Sequence, residues 1–236
     1  MEEKMKILTI ASLVAAMLLS VNVSYAASAN DSAATKSKPS SEESINIDHL
    51  TKTKHKWFDE LYLSEDITLN TPQKVLVEFK EPTFFPNWHK KFHREDRTRY
   101  VARVKEDFSE MFAATLTKSL KKNKAFDVVT KESLSESGAK DLMIVKVWLH
   151  DLFVYGPDFD LSKDYYVDQV GWAKVDVEVY RVGEDKPMLV MKDKQDTRFY
   201  GATERRKTNR ANNYHEFKML FKKWSKRISK VLADSK

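Results

Sequence analysis

The chain has 236 residues, with 41 Lys and Arg against 35 Asp and Glu, so its formal charge at pH 7 is +6. It has no cysteine, which excludes a disulfide scaffold, a thiolate metal site, a cysteine nucleophile and a lipid anchor on cysteine. Its 5 glycines form no G-x-G-x-x-G or G-x-x-x-x-G-K phosphate loop. With 42% hydrophobic residues, the composition is that of a folded protein.

The amino terminus has the pattern of an export signal. Two lysines precede an apolar run over residues 7–19, and Ser24 and Ala26 fill the small-residue positions before a cleavage site. The run is short for a membrane span, and no later segment is longer and equally apolar. We therefore expect a signal peptide over 1–26, cleavage after Ala26, and a soluble protein located in the periplasm.

The next segment, residues 27–56, is rich in Ser, Ala, Thr, Lys and acidic residues and has almost no apolar cluster. Such a composition cannot bury enough surface to offset the entropy of ordering, so it predicts a flexible leader. A single domain is expected over 57–236, beginning with the aromatic lead-in at 57–62.

Within this domain, hydrophobic periodicity predicts alternating strands and helices. Apolar residues at steps of three and four predict amphipathic helices at 98–123 and 214–232. β-branched runs and strict alternation predict strands at 75–79, 126–129, 141–154, 173–180 and 188–198. A helical turn is expected at 133–138 and a mobile loop at 202–213. Together these elements predict an α+β two-layer sandwich, a mixed or antiparallel sheet covered by two long amphipathic helices.

Two segments resemble metal sites, and neither is complete. His89 and His93 have the four-residue spacing of ligands on a helix, but lysines and arginines surround them and two ligands do not make a site. The segment 158–164 has the alternating oxygen side chains of a calcium loop. However, Lys163 stands where that loop needs glycine, and Gln169 stands where it needs a bidentate glutamate. We predict no metal, cofactor or catalytic residue.

A basic cluster at 89–103 with interleaved aromatic residues is a candidate contact surface, and the basic carboxy-terminal region at 205–236 adds to it. Basic runs are usually solvated helix faces, but they also suit an anionic envelope surface. An exported protein rarely meets nucleic acid, so we do not expect nucleic acid as a partner. Aromatic residues dominate the energetics of protein interfaces. The candidate binding surface comprises Phe84, Phe85, Trp88, His89, His93, Arg97, Tyr155 and Tyr165.

The order of these elements resembles an uncharacterised proteobacterial envelope family, a domain of unknown function with many lipoprotein members. The resemblance lies in the aromatic lead-in at 57–62, the strand at 75–78, the long helix, and the motif from Gly171 to Tyr180 followed by a hairpin and a final helix with Trp224. It covers roughly residues 57–232 and carries no catalytic residue. Lipoprotein members have a cysteine after the signal, which this chain lacks. The resemblance with this departure implies a periplasmic protein without a lipid anchor.

Two functions remain open from the sequence. The first is a non-catalytic binding or accessory component of the bacterial cell envelope, whose partner is an envelope protein or an anionic envelope surface. The second is a periplasmic hydrolase or small-ligand-binding protein with a site between the segments 82–100 and 153–168. The second function requires these two segments to lie together around His89 and His93.

Overall fold

The computed structural model describes residues 45–65, 67, 73–88, 94–131, 142–155, 165–198 and 206–234. The predicted signal peptide, the helical turn at 133–138 and the segment 158–164 lie outside these residues. The elements, in chain order, are β1 (Thr51–Thr53), β2 (Glu60–Leu63), β3 (Gln73–Lys80), α1 (Arg94–Lys122), β4 (Phe126–Val129), β5 (Leu142–Val154), β6 (Tyr165–Val167), β7 (Gln169–Arg181), β8 (Leu189–Arg198), β9 (Arg206–Thr208) and α2 (Arg210–Asp234).

Seven of these strands form one mixed sheet in the order β1-β2-β8-β7-β5-β3-β4. β3 is parallel to both β4 and β5, and the remaining pairs are antiparallel. Parallel neighbours need a long crossover connection, which α1 provides between β3 and β4. β6 and β9 form a separate antiparallel pair. The mixed sheet and the two long helices confirm the α+β class.

The two faces of the sheet differ in chemistry because side chains alternate along each strand. On one face, which we call the apolar face, the central strands present fully buried side chains such as Val145, Val147, Val175 and Val177. The opposite face, which we call the polar face, is lined in the same strands by Lys146, Trp148, His150, Lys174, Asp176, Glu178 and Tyr180.

Both helices contact the apolar face. The ring of Phe112 in α1 lies 5.7 Å from that of Phe79 in β3. In α2, the indole Nε1 of Trp224 donates a 2.7 Å hydrogen bond to Asp193 in β8. The helices also pack on each other, with the rings of Phe112 and Phe221 stacked at 4.9 Å. The two-layer arrangement itself stays a prediction.

The structure corrects the expectation of a mobile loop over 202–213. Residues 206–208 form β9, and α2 begins at Arg210. Asn209 caps the helix, because its side-chain oxygen accepts a hydrogen bond from the backbone N–H of Asn212 at 2.8 Å. The helix therefore begins four residues earlier than the apolar stripe predicts.

The sheet also begins upstream of Trp57, where the sequence predicts that order starts. β1 pairs with β2 through residues that composition assigns to the leader. The ammonium group of Lys52 lies 2.7 Å from the carboxylate of Glu60 across this pair. Among the described residues, no helix combines the length and the apolar run needed to cross a membrane.

Candidate functional site

The segment after β3 continues the sheet alongside β5. The backbone N–H of Thr83 donates to Leu149 O at 3.1 Å, and Leu152 N–H donates back to Thr83 O at 3.0 Å. The N–H of Phe85 then bonds to Leu152 O at 3.0 Å. These backbone hydrogen bonds fix where the aromatic side chains at 84–88 meet the end of β5.

Trp88 anchors this segment. It is buried, and its indole Nε1 donates a 2.8 Å hydrogen bond to the carbonyl oxygen of Val154. Its ring stacks on Phe84 at 4.1 Å and lies 6.0 Å from Tyr100 of α1. Trp88 therefore belongs to the core of the fold, and its ring is not exposed for contact with a partner.

Beside this anchor lies a group of aromatic rings, which we call the aromatic surface: Phe85, Phe153, Tyr155 and Trp172. Phe153 and Trp172 stack at 3.9 Å with an angle of 2° between their planes. Phe85 contacts both rings edge-on, at 6.3 and 5.7 Å. Phe85 is 41% exposed and Tyr155 is 43% exposed. The surface is thus a rigid stack with two exposed rings at its border.

A close backbone approach supports the stack from below. A β-carbon on Gly171 would lie 1.9 Å from the carbonyl oxygen of Phe153, so only glycine fits at this position. In β5 the register shifts between His150 and Phe153, and Asp151 has a φ of 49°. This bulge re-aims Phe153 toward Trp172.

Residues at and just before the start of α2 fix the backbone of Tyr155 in the aromatic surface. The carbonyl oxygen of Tyr155 accepts hydrogen bonds from the Thr208 hydroxyl at 3.0 Å and from the Asn213 amide at 2.8 Å. Thr208 also donates to the side-chain oxygen of Asn213 at 2.8 Å. The backbone at Tyr155 is therefore fixed while its ring remains exposed.

The polar face contains a second group of functional side chains. The imidazole of His150 stacks on the indole of Trp148 at 4.5 Å. Its buried Nε2 lies 3.1 Å from the carboxylate of Asp176 and makes no hydrogen bond to it. Both side chains are 10% exposed. The pair is therefore held close within the sheet.

Next to this pair, Glu178 is bonded on two sides. It accepts a short hydrogen bond from the Tyr180 hydroxyl and lies 3.2 Å from the ammonium group of Lys80. Burial, and then the bond and charge of Glu178, raise the pKa of Tyr180 well above its ordinary value. Lys146 lies 4.3 Å from the centre of the Tyr180 ring. These contacts make an ordered polar network rather than a row of solvated charges.

The predicted candidate residues divide into three groups. Phe84 and Phe85 lie with Tyr155 at or beside the aromatic surface, and Trp88 lies beneath it. His89 and His93 are outside the described residues, and only the backbone of Arg97 in α1 and of Tyr165 in β6 is described.

Sequence reasoning missed Phe153 and Trp172. The alternation in β7 gives a signal for Trp172, because it shares the polar side of the strand with Lys174 and Asp176. A large aromatic residue at a polar position is a feature of contact surfaces. Phe153 has no comparable signal, since the bulge changes its side of the strand.

The described parts of the segments 82–100 and 153–168 do lie together, joined by the bond from Trp88 to Val154. Within the described ranges, no group of three or more His, Cys, Asp and Glu side chains is arranged to hold a metal ion. An open depression of about 580 Å³ lies along the second half of α1, away from this junction, and is lined by Ala113, Ala114, Thr117, Lys118, Lys121 and Lys122.

Comparison with known proteins gives distant structural matches. No family model and no curated protein matches the chain. A PelC dodecamer structure from Paraburkholderia phytofirmans aligns at 11% identity and a TM-score of 0.35, over 75% of this chain and 96% of PelC. A DUF330 protein from Xanthomonas campestris aligns at 5% identity and 0.36, over 71% and 86%.

A third solved structure, a putative neuraminyllactose-binding hemagglutinin homolog from Helicobacter pylori, aligns at 8% identity and a TM-score of 0.29. It matches 67% of this chain and 84% of its own length. Alignments at these identities and TM-scores assign neither a family nor a function to this chain. The resemblance to a proteobacterial envelope family stays a prediction.

Proposed function

We propose that this chain is an exported periplasmic protein that binds a partner protein of the bacterial cell envelope, without catalysis, through the aromatic surface. The observation that carries the proposal is the exposure of Phe85 and Tyr155 at the border of the rigid Phe153–Trp172 stack. Rigid aromatic rings bury a large area at a small cost in side-chain entropy, so such rings are typical hot spots of interfaces.

The surroundings of this surface support the same function. Lys194 lies 6.0 Å from the centre of the Trp172 ring and adds a polar border. An apolar centre with a charged rim is the usual anatomy of a protein interface. The proposal includes the two-layer arrangement, with both helices on the apolar face, because the aromatic surface then stays accessible.

Site-specific photo-crosslinking in intact cells tests the proposal. A photoreactive residue replacing Phe85 should give a discrete adduct with one envelope protein, identified by mass spectrometry. The matched control is Val182 in the β7–β8 turn, which is 38% exposed and outside the aromatic surface. No adduct at Phe85, or the same adducts at both positions, contradicts the proposed binding surface.

Export is tested on the same cells. We expect the protein in the periplasmic fraction with Ala27 as its first residue, because the signal pattern places cleavage after Ala26. An uncleaved chain in the cytoplasm contradicts this part of the proposal. Because the crosslinking at Phe85 also needs the protein in the envelope, the fractionation is done before the adducts are interpreted.

One observation favours the second candidate function, a hydrolase or small-ligand-binding protein. The two segments that would form its site are joined by the Trp88–Val154 hydrogen bond. In that case, replacing both His89 and His93 with alanine should abolish turnover or ligand-induced stabilisation, and should leave the photo-adduct at position 85 unchanged.

A further inference from the structure

A second surface lies on α2, on a different side from the helix residues that enter the core. Lys218, Lys222, Lys226 and Lys230 are exposed and follow one another at intervals of four residues. We call these four residues the lysine row. At a rise of 1.5 Å per residue, the row extends along the helix for about 18 Å. From Lys218 to Lys230 the sequence contains six basic residues and no acidic one.

The four ammonium groups of the lysine row form no ion pair within the part of the chain that the structure describes. Arg210 and Arg227, in contrast, pair with Asp107 and Asp193. The acidic residues of α2 are Glu216, before the row, and Asp234, which lies four residues after Lys230, so only the last lysine of the row has an acidic residue at that spacing. Like charges at i and i+4 destabilise a helix, so folding alone does not favour this arrangement.

The positive surface continues onto the segment between β1 and β2. The ammonium groups of Lys230 and Lys56 lie 5.1 and 4.6 Å from the centre of the same Trp57 ring. Burial, and then the charges of Lys56 and Arg227, lower the pKa of His55, while the charge of Asp234 opposes this shift. Lys56 thus extends the lysine row beyond the helix.

The composition of this surface favours an anionic lipid bilayer over a protein. Its charges are mainly lysines, which are depleted in the centres of protein interfaces and lack the bidentate geometry of arginine. Of the large apolar side chains on this helix, only Tyr214 and Met219 are exposed, at 39% and 49%. The apolar stripe, including Phe217, Phe221 and Trp224, is buried in the core and is not free to insert into lipid.

We propose that the lysine row, extended by Lys56, docks the protein on the surface of an anionic phospholipid bilayer. The attraction is electrostatic, between several flexible ammonium groups and a layer of lipid phosphates, and it strengthens with each added lysine. The inference stands apart from the aromatic surface, with which the lysine row shares no residue.

Vesicle co-sedimentation of the full chain tests this inference. The probes are phosphatidylcholine vesicles with and without phosphatidylglycerol, and the variant is Lys218→Gln/Lys222→Gln/Lys226→Gln/Lys230→Gln. We expect binding of the wild type to the anionic vesicles that weakens with added salt, and a partition coefficient at least about 30-fold lower for the variant. The apolar run at 7–19 is present in both chains, and its contribution is measured with phosphatidylcholine alone.

The matched control removes the same charge from another place. Lys118→Gln/Lys121→Gln/Lys122→Gln/Lys124→Gln changes four lysines at the end of α1 and the turn after it, and should keep wild-type partitioning. Circular dichroism verifies that each variant is folded. Three outcomes overturn the inference: the variant of the lysine row binds like the wild type, both quadruple variants lose binding equally, or inorganic phosphate at constant ionic strength displaces the protein.

Discussion

The aromatic surface and the lysine row are built in opposite ways. In the aromatic surface, exposed rings rest on hydrogen-bonded backbone: Phe85 is tied to Leu152, and the Tyr155 carbonyl is tied to Thr208 and Asn213. In the lysine row, long side chains extend from a helix whose other side is in the core. An apolar contact surface needs a rigid support to stay exposed in one geometry, whereas a diffuse charged surface works with mobile side chains. A change to the backbone that supports the rings should therefore damage the aromatic surface and leave the lysine row intact.

The largest effect is expected at the backbone support of the aromatic surface. Gly171→Ala places a β-carbon against the carbonyl oxygen of Phe153, so β5 and β7 must separate. We expect a loss of roughly 3 kcal/mol in the free energy of unfolding, measured by urea denaturation. The control is Gly183→Ala, where φ is 83° but nothing lies within 4 Å, with an expected loss of about 1 kcal/mol. Equal losses would mean that the close approach is not what fixes the stack.

An intermediate loss of stability is expected for Trp88, which anchors the segment, and a smaller one for Phe85, which we expect to contact the partner. Trp88→Phe removes the buried hydrogen bond to Val154 and leaves a small cavity, so we expect a loss of about 2 kcal/mol in thermal or urea unfolding. Phe85→Ala, at a more exposed ring, should cost less than about 1 kcal/mol. It should nevertheless weaken capture of the envelope partner. A stable Trp88→Phe protein would contradict the anchoring role of Trp88.

The last prediction is a gain in the free energy of unfolding rather than a loss, and it concerns the lysine row. Replacing all four lysines with glutamine removes three repulsive pairs at i and i+4, so we expect the free energy of unfolding to rise by about 1 kcal/mol at low salt. The gain should shrink as salt screens the charges. A loss of stability would show that the lysines support the fold, and would break the contrast between the two surfaces.

Much of the fold could be predicted because its longest elements have strong periodicity. α1 was predicted at 98–123 and lies at Arg94–Lys122, and the antiparallel order of β5, β7 and β8 follows from alternating apolar residues. The three-residue strands β1, β6 and β9 give no such signal, because their pairing depends on a partner elsewhere in the chain. The start of α2 was missed because its cap, Asn209, precedes the apolar stripe.

The candidate site was harder to predict because its geometry depends on distant contacts. The sequence identifies the aromatic residues at 84–88 but does not separate the buried Trp88 from the exposed Phe85. The distinction depends on the carbonyl oxygen of Val154, 66 positions further along the chain. The lysines of α2, in contrast, are visible from local spacing alone, because a helix with a buried apolar stripe exposes its other side.

The pairing of β2 with β8 has a consequence for when the chain can fold during its synthesis. Leu61 is a register partner of Met191, and the core is completed by Trp224 and Ile228 near the carboxyl end. Pairs so distant in sequence form slowly, and here they cannot form until the chain as far as Met191 has left the ribosome. For a chain that is exported as we propose, this delay keeps the polypeptide unfolded during synthesis, in the state that passes through a narrow translocation pore.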